Sequence, residues 1–305
     1  MKKSTTIILA LLCCILWAIV FPILKLLYLE LDMVDNNAKL TLAGMRFFAA
    51  GILVLIYYFL LYKKAPRIIS LKLFRSISTL GIFQTTLLYA FFFVGTSNTS
   101  GIKSSVISQS SIFFVVILAH FILKDEKLNF RKSLALLLGI MGMIIININS
   151  LKASSELLSF KLTGEGLLLI SGLFSGIGTI IAKKMGNKTN AILLNGWQMT
   201  IGGGLLLIVG TFTYGKLISF PTFYSLALFL SLILISAIAF TLWYQILKHV
   251  KASEITIFKF TIPIIGAFSS ALVVPGETMS VFVFLGLLLV SIGIYFCNKT
   301  DSLPK

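Results

Sequence analysis

The stretch TIFKFTIPIIG, residues 256–266, is apolar except for Lys259 and is interrupted by Pro263. An ammonium in such surroundings does one kind of chemistry well. It holds a carboxylate or a phosphate, or it takes up carbonyls freed by the proline. A second polar cluster, SSVISQSSIFF at 104–114, carries Ser108 and Gln109. Ser104, Ser108 and Ser111 fall at i, i+4 and i+7, on one face of a helix. Small hydroxylated residues also serve plain helix packing, whereas Gln109 is too large for that role and points to a cavity. Trp17, Gln84, Tyr89, Tyr244 and Gln245 complete the candidates for substrate contact. The competing reading of Tyr244 and Gln245, with Trp243 beside them, is an interfacial aromatic belt. Trp17 stands mid-segment, where a belt does not explain it, and either lines a cavity or fills core.

Chemistry of other kinds is missing from the sequence. There is no H-E-x-x-H, no G-x-S-x-G and no Walker A loop. The two histidines, His120 and His249, and the three cysteines, Cys13, Cys14 and Cys297, have neither catalytic nor metal-ligand spacing. No catalytic residue, metal or cofactor is therefore expected, and no ATP-driven step.

The elements that must position these residues are helices in a bilayer. The chain has 305 residues, 58% hydrophobic and 12% charged, with a mean hydropathy of +1.02. A soluble domain carries about twice that charged fraction. Ten apolar runs are long enough to span, at about 7–28, 38–61, 74–95, 101–122, 133–149, 163–182, 190–213, 223–247, 252–274 and 280–297. Spanning segments must satisfy their own backbone, so runs this continuous are helices. With the N-terminus inside, the outer loops carry only Lys39, Lys152, Lys161 and Lys216 of the 26 Lys and Arg. Both termini are then cytoplasmic, in the cell membrane. The net charge of +16 is mostly this topology. No basic soluble domain exists to bind nucleic acid, so the partners are the lipid bilayer and a small-molecule substrate; oligomeric state is not readable.

Two halves of the chain echo one another. LAGMRF at 42–47 matches LNGWQM at 194–199, setting Gly44 against Gly196 and Arg46 against Gln198, 152 residues apart. Glu126 and Glu277, and Gly142 and Gly293, are each 151 apart. The repeat units are 1–150 and 151–305. Five helices per unit is an odd number, so the second unit must cross the membrane upside down. Inverted repeats mark secondary transporters, with the substrate site near the midplane at the repeat interface.

At this point the chain resembles the drug/metabolite transporter superfamily, EamA type. Trp17 and Lys25 on the first helix carry the likeness, with GMRFFAAG on the second, a Glu after helices four and nine, and Pro263 in helix nine. The resemblance implies ten helices forming a basket around a central cavity. Helices three, four, eight and nine and the starts of one and six would line it. Substrates would be small metabolites or amino acids, often exported. The first unit departs from the pattern. Ile112 stands where the offset puts the partner of Pro263, so a break in helix four has no proline behind it.

Lys259 lies about seven residues into its helix, roughly 10 Å deep. It either snorkels back to the headgroups, at the limit of its reach, or faces a wet cavity. Glu254, about 140° round the helix, suits Lys251 better as a partner. Arg46 is read as structural, bonding loop carbonyls or snorkelling, and Lys25 and Lys103 as snorkelling near outer ends. Glu126 and Glu277 precede helices, where the dipole favours a carboxylate, and are also read as structural. With no mid-membrane carboxylate, facilitated exchange or coupling through substrate protonation is favoured over carboxylate-based antiport. The function expected is secondary, non-ATP transport of small metabolites such as amino acids or organic anions, by export or exchange, with alternating access around the cavity. A lipid-linked or nucleotide-sugar carrier of the same fold is the alternative, and a membrane-embedded enzyme is the alternative of another class.

Overall fold

The computed structural model describes residues 3–63, 70–98, 104, 107–146, 160–186, 189–273 and 281–298. Glu277, Lys103 and Ser105 lie outside them. The regular structure among the described residues is all helix, without strands. In chain order the helices are α1 (Lys3–Glu30), α2 (Asn36–Leu61), α3 (Leu71–Ser97), α4 (Ser110–Ile122), α5 (Phe130–Ile146), α6 (Leu162–Gly186), α7 (Ala191–Tyr214), α8 (Phe223–His249), α9 (Ala252–Val273) and α10 (Val281–Asn298). Seven of them, α1, α2, α3, α6, α7, α8 and α9, are long and apolar enough to cross a membrane. The described part of α4 and the Phe284–Cys297 stretch of α10 are apolar but shorter. Large side chains face outward without polar cover, as lipid permits: Phe212 is 90% exposed and Phe223 88%.

Helix ends are closed locally. Asp35 accepts from the Asn37 amide at 2.7 Å, and Asn190 from that of Ile192 at 2.8 Å. Thr222 and Ser225 form a capping box at the start of α8. Gly215, at φ 87°, ends α7 in the left-handed region where glycine is favoured.

The closest helix pair is α2 with α7, and glycines permit it. Gly44 faces Leu207, Phe48 faces Gly203, Gly51 faces Thr200 and Leu55 faces Gly196, so the two helices run antiparallel. These contacts are reciprocal. Moving both members of the Gly44–Leu207 pair by 152 positions, one forward and one back, gives the Gly196–Leu55 pair. The same shift turns Gly51–Thr200 into Gly203–Phe48. Helices α5 and α10 behave alike. Gly142 packs on Gly286, and Gly293, 151 residues on, packs on Ala135, the counterpart of Gly286. The remaining neighbours also exchange in pairs: α1 lies on α8 and α9, and α6 on α3 and α4.

Polar groups inside the helix layer are bonded across helices, as a low-dielectric interior requires. Thr85 donates to Gln198 at 3.0 Å, Gln198 to Asn195 at 3.0 Å, and Asn195 to Thr241 at 2.9 Å, tying α3, α7 and α8. Gln198, the counterpart of Arg46, is wholly buried in this chain.

The α2–α7 contact makes a prediction. A methyl at Gly203 would meet the backbone of Phe47 and Phe48, whereas one at Gly204 would meet only the far side of the Phe48 ring, at 3.3 Å. Gly203→Ala should cost about 1–3 kcal/mol by overpacking. Gly204→Ala should be neutral or slightly stabilising by helix propensity. Thermal unfolding in detergent, followed by size-exclusion recovery, checks the contrast.

Candidate functional site

The breaks in two helices build the site. In α9, Pro263 has no N–H for the carbonyl of Lys259 and its ring crowds that carbonyl. The turn before it, Thr256–Phe260, is accordingly 3₁₀. Within this turn the Thr261 N–H reaches the Lys259 and Phe258 carbonyls, and the Phe258 carbonyl also accepts from the Thr261 hydroxyl at 2.7 Å and the Cys14 thiol at 3.4 Å. Lys259 sits in this turn. Its counterpart Ser108 sits with Gln109 in a turn just ahead of α4. The chain thus departs from α geometry just ahead of α4 although Ile112, and no proline, follows there.

A cavity of about 610 Å³ lies between α1, α2, α3, the α4 segment, α6, α8 and α9. It reaches Asn36 and Lys39 at the start of α2, Tyr28 late in α1 and Thr96 late in α3. Its deep end is formed by Trp17, Gln84, Phe240 and Lys259. Among the described residues no lining group lies nearer the N-terminus of α1 than Trp17. The resemblance implied the starts of helices one and six. The structure uses the second half of α1 and the first half of α6, through Ser171 and Ser175, and adds α2.

Lys259 faces this cavity rather than the headgroups. Its Nζ stands 5.3 Å from the Trp17 ring centroid and 4.8 Å from that of Trp243, and the two rings are 5.0 Å apart. Two aromatic faces hold a cation in a place where water is scarce. Glu254 is spent on Lys251 at 3.5 Å, and among the described residues no carboxylate or carbonyl is bonded to Lys259.

Of the other expected contacts, Trp17, Gln84, Tyr89, Ser108 and Gln109 all line the cavity. The Trp17 N–H and the Gln84 Oε1 are buried without a hydrogen-bond partner. Gln84 stands on a π-helical turn of α3, Ile82–Leu87, an irregularity common at functional sites. Tyr89 stacks on Phe47 at 4.5 Å. Tyr244 and Gln245 are not among the lining residues. Tyr244 is buried in the packed layer beneath, with Ile77 and Leu247, while their neighbour Trp243 meets the lysine. Gly172 and Gly176 of GLFSG carry α6 onto Ser110 and Phe114 of the α4 segment, which is packing.

Arg46 differs from its expectation. Among the described residues it bonds no loop carbonyl. It is 7% exposed, lines the cavity, donates from Nε to the Ser236 hydroxyl at 2.6 Å, and lies 4.9 Å over the Phe47 ring. The cause is the face it occupies: Gly44 and Gly51 turn toward α7, which leaves Arg46 directed to α8. Its position after GM in a mid-helix run is the only signal the sequence offers.

Glu126 also serves a different helix from the one that follows it. Its carboxylate accepts from the amides of Ala252 and Ser253, each at 2.8 Å, and from the Ser253 hydroxyl at 2.8 Å. It therefore caps α9, the helix of Lys259, where the dipole favours negative charge. Lys132 donates to the same Ser253 hydroxyl at 2.7 Å. From α6, Lys183 donates to the carbonyls of Leu247 and Val250 at 2.8 and 2.6 Å, closing the C-terminal end of α8. The α8–α9 junction is held by opposite charges on its two helix ends.

A multi-pass helical membrane protein with a central cation-lined cavity has the architecture of a solute transporter. The chain belongs to the EamA-like transporter family, whose model matches residues 4–148 and again 162–299. It is 26% identical over 298 residues to an uncharacterised transporter of Archaeoglobus fulgidus, covering 97% of each chain. It is 25% identical over 265 residues to a WAT1-related chloroplastic protein of Arabidopsis thaliana, covering 85% of this chain and 63% of that one. It is 26% identical over 208 residues to the uncharacterised transporter YoaV of Bacillus subtilis, covering 67% and 68%. One solved structure superposes with a TM-score of 0.77 at 13% identity, covering 97% of this chain and 98% of that one, which establishes the fold.

The cap on α9 is testable. Glu126→Ala leaves two amides and a hydroxyl without an acceptor, at a cost of about 2–3 kcal/mol. Glu126→Gln, which keeps an acceptor, should lose less. Chemical unfolding of the two variants should rank them in that order; equal stability to the parent would show that the cap is idle.

Proposed function

We propose that this chain is a secondary transporter of small anionic or zwitterionic metabolites, working as an exporter or exchanger by alternating access. The observation that carries this reading is the cavity itself. Lys25, Lys39, Arg46 and Lys259 line it and, among the described residues, no carboxylate does. Arg46 is buried and Lys259 half-buried, and a cation so placed with no carboxylate beside it among the described residues calls for an anionic ligand. A volume of about 610 Å³ suits a metabolite.

The wider reading is ten helices arranged as two inverted five-helix units, 1–150 and 151–305. The exchange of glycine contacts between α2 and α7 and between α5 and α10 supports it, as does the double match to the family model. Lysine and arginine bias places both termini in the cytoplasm of a cell membrane. In that orientation the cavity opens outward, and the Trp17–Lys259–Trp243 contact closes the inward path. Lys259, Gln109, Ser108, Tyr89, Trp17 and Gln84 are the proposed substrate contacts; Pro263, Glu126 and Glu277 are structural, and Arg46 both bridges α2 to α8 and faces the substrate.

Purified protein in liposomes, tested with labelled amino acids and carboxylates, measures this directly. A thermal-shift screen selects the compounds, since a ligand at a hundred times its Kd adds about 2.7 kcal/mol. Lys259→Ala and Gln109→Ala should each lower flux by about tenfold or more, at the parent's yield and melting temperature. Lys259→Arg should keep part of it. Normal rates in both alanine variants would remove these residues from the site.

A further inference from the structure

Two of the cavity's cations are placed differently from the other two. Lys25 and Lys39 stand toward the open end, and Lys39 lies over the Tyr28 ring at 5.2 Å. Arg46 and Lys259 stand deep, at the two ends of one aromatic wall. The Arg46 guanidinium lies 4.9 Å from Phe47, Phe47 6.0 Å from Phe240, Phe240 5.2 Å from Trp17, and Trp17 5.3 Å from the Lys259 ammonium. Arg46 spends its Nε on Ser236, and the rest of its guanidinium lies on the cavity wall near Tyr28 and Tyr89 with no carboxylate beside it among the described residues. Lys259 has none either. Beside them, the buried Trp17 N–H also lacks a partner, so the same deep end holds three donor groups facing one ligand. A single carboxylate satisfies one cation and leaves the other buried and unpaired, at full desolvation cost. The wall between the cations is made of aromatic rings set edge to face, Phe240 at 86° to Phe47 and 65° to Trp17, and accepts an apolar body.

Resting on the reading above, we infer that the preferred substrate is a dianion: two carboxylate or phosphate groups separated by an apolar spacer, one group on Arg46 and the other on Lys259. Arg46 takes its anion through a planar fork of donors, and Lys259 takes the other as a point charge, joined by the Trp17 N–H. The spacer lies on the Phe47–Phe240–Trp17 wall. The length of the spacer, and not charge alone, then sets affinity.

The test uses purified full-length protein and three probes, benzoate, terephthalate and biphenyl dicarboxylate, read by quenching of tryptophan fluorescence and by thermal shift. One of the two dicarboxylates should bind about tenfold or more tighter than benzoate. Arg46→Gln and Lys259→Gln should each bring that dicarboxylate down to the benzoate level, while benzoate itself loses much less in at least one of them. Arg46→Lys, which keeps the charge but not the Nε bond to Ser236, should restore part of the preference; it also stands in if Arg46→Gln does not fold. Equal binding of benzoate and both dicarboxylates overturns the dianion inference and leaves the anion cavity standing. A dicarboxylate preference that survives Arg46→Gln or Lys259→Gln overturns it too. If no probe binds to the folded parent, the anion cavity falls with it.

Discussion

Pro263 has no N–H to give the carbonyl of Lys259, and the deep end of the cavity follows from that one absence. The turn tightens to 3₁₀ over Thr256–Phe260, which turns Lys259 inward between two tryptophans. Breaking a helix inside a bilayer is costly unless each freed group finds a partner. Here the Thr261 N–H reaches the Lys259 carbonyl, and the Thr261 hydroxyl and Cys14 thiol bind the neighbouring Phe258 carbonyl. The start of the same helix is fixed from the other half of the chain, because Glu126 accepts both of its first amides. A local defect is thus held in one position by bonds to α1 and to the α4–α5 connection.

The helix contacts divide into two kinds. The α2–α7 and α5–α10 pairs meet through glycine, backbone against backbone. Such contacts tolerate little sliding, since interiors are close-packed and any added atom collides. The helices that surround the cavity also meet through glycine in places, Gly172 on Ser111 and Gly95 on Gly164, but they carry polar side-chain links such as Arg46–Ser236 and Ser171–Leu88 between them. A transporter that rocks needs fixed axes and movable walls. The glycine pairs have the character of axes, and α1, α3, α4, α6, α8 and α9 have that of walls.

Much of this was legible in the sequence, and the rest failed for identifiable reasons. Seven of the spans, the helical class and the cavity-facing Trp17, Tyr89, Ser108, Gln109 and Gln84 follow from hydropathy and from polar groups in apolar runs. Gly44 and Gly196 were legible as equivalents, but that they lie on one interface needs coordinates. Tyr244 and Gln245 failed because the α8 face toward the cavity is set by packing on α1, which brings Trp243 and Phe240 to the front. Arg46 failed because its direction depends on which face of α2 meets α7. Glu126 failed because its partners, Ala252 and Ser253, are distant in sequence; proximity suggested the helix that follows it. The turn at Ser108 and Gln109 appears without a proline, so the rule that ties breaks to proline missed it.

A cavity that holds cations and, among its described lining, no acids has a direct consequence for how such a carrier cycles. To change sides it must close, and closing removes water from Arg46 and Lys259. Empty, it would bury two charges unpaired, a step that costs several kcal/mol per ion in low dielectric. Loaded with an anion, the charges are compensated and the step is easier. The empty return is then the slow limb of the cycle and the loaded return the fast one. On the reading of an anion-binding cavity, exchange of one substrate for another should outrun net movement, with no coupling carboxylate required. Direction would be set by which side offers the anion at higher concentration, because the binding groups carry no built-in ion gradient.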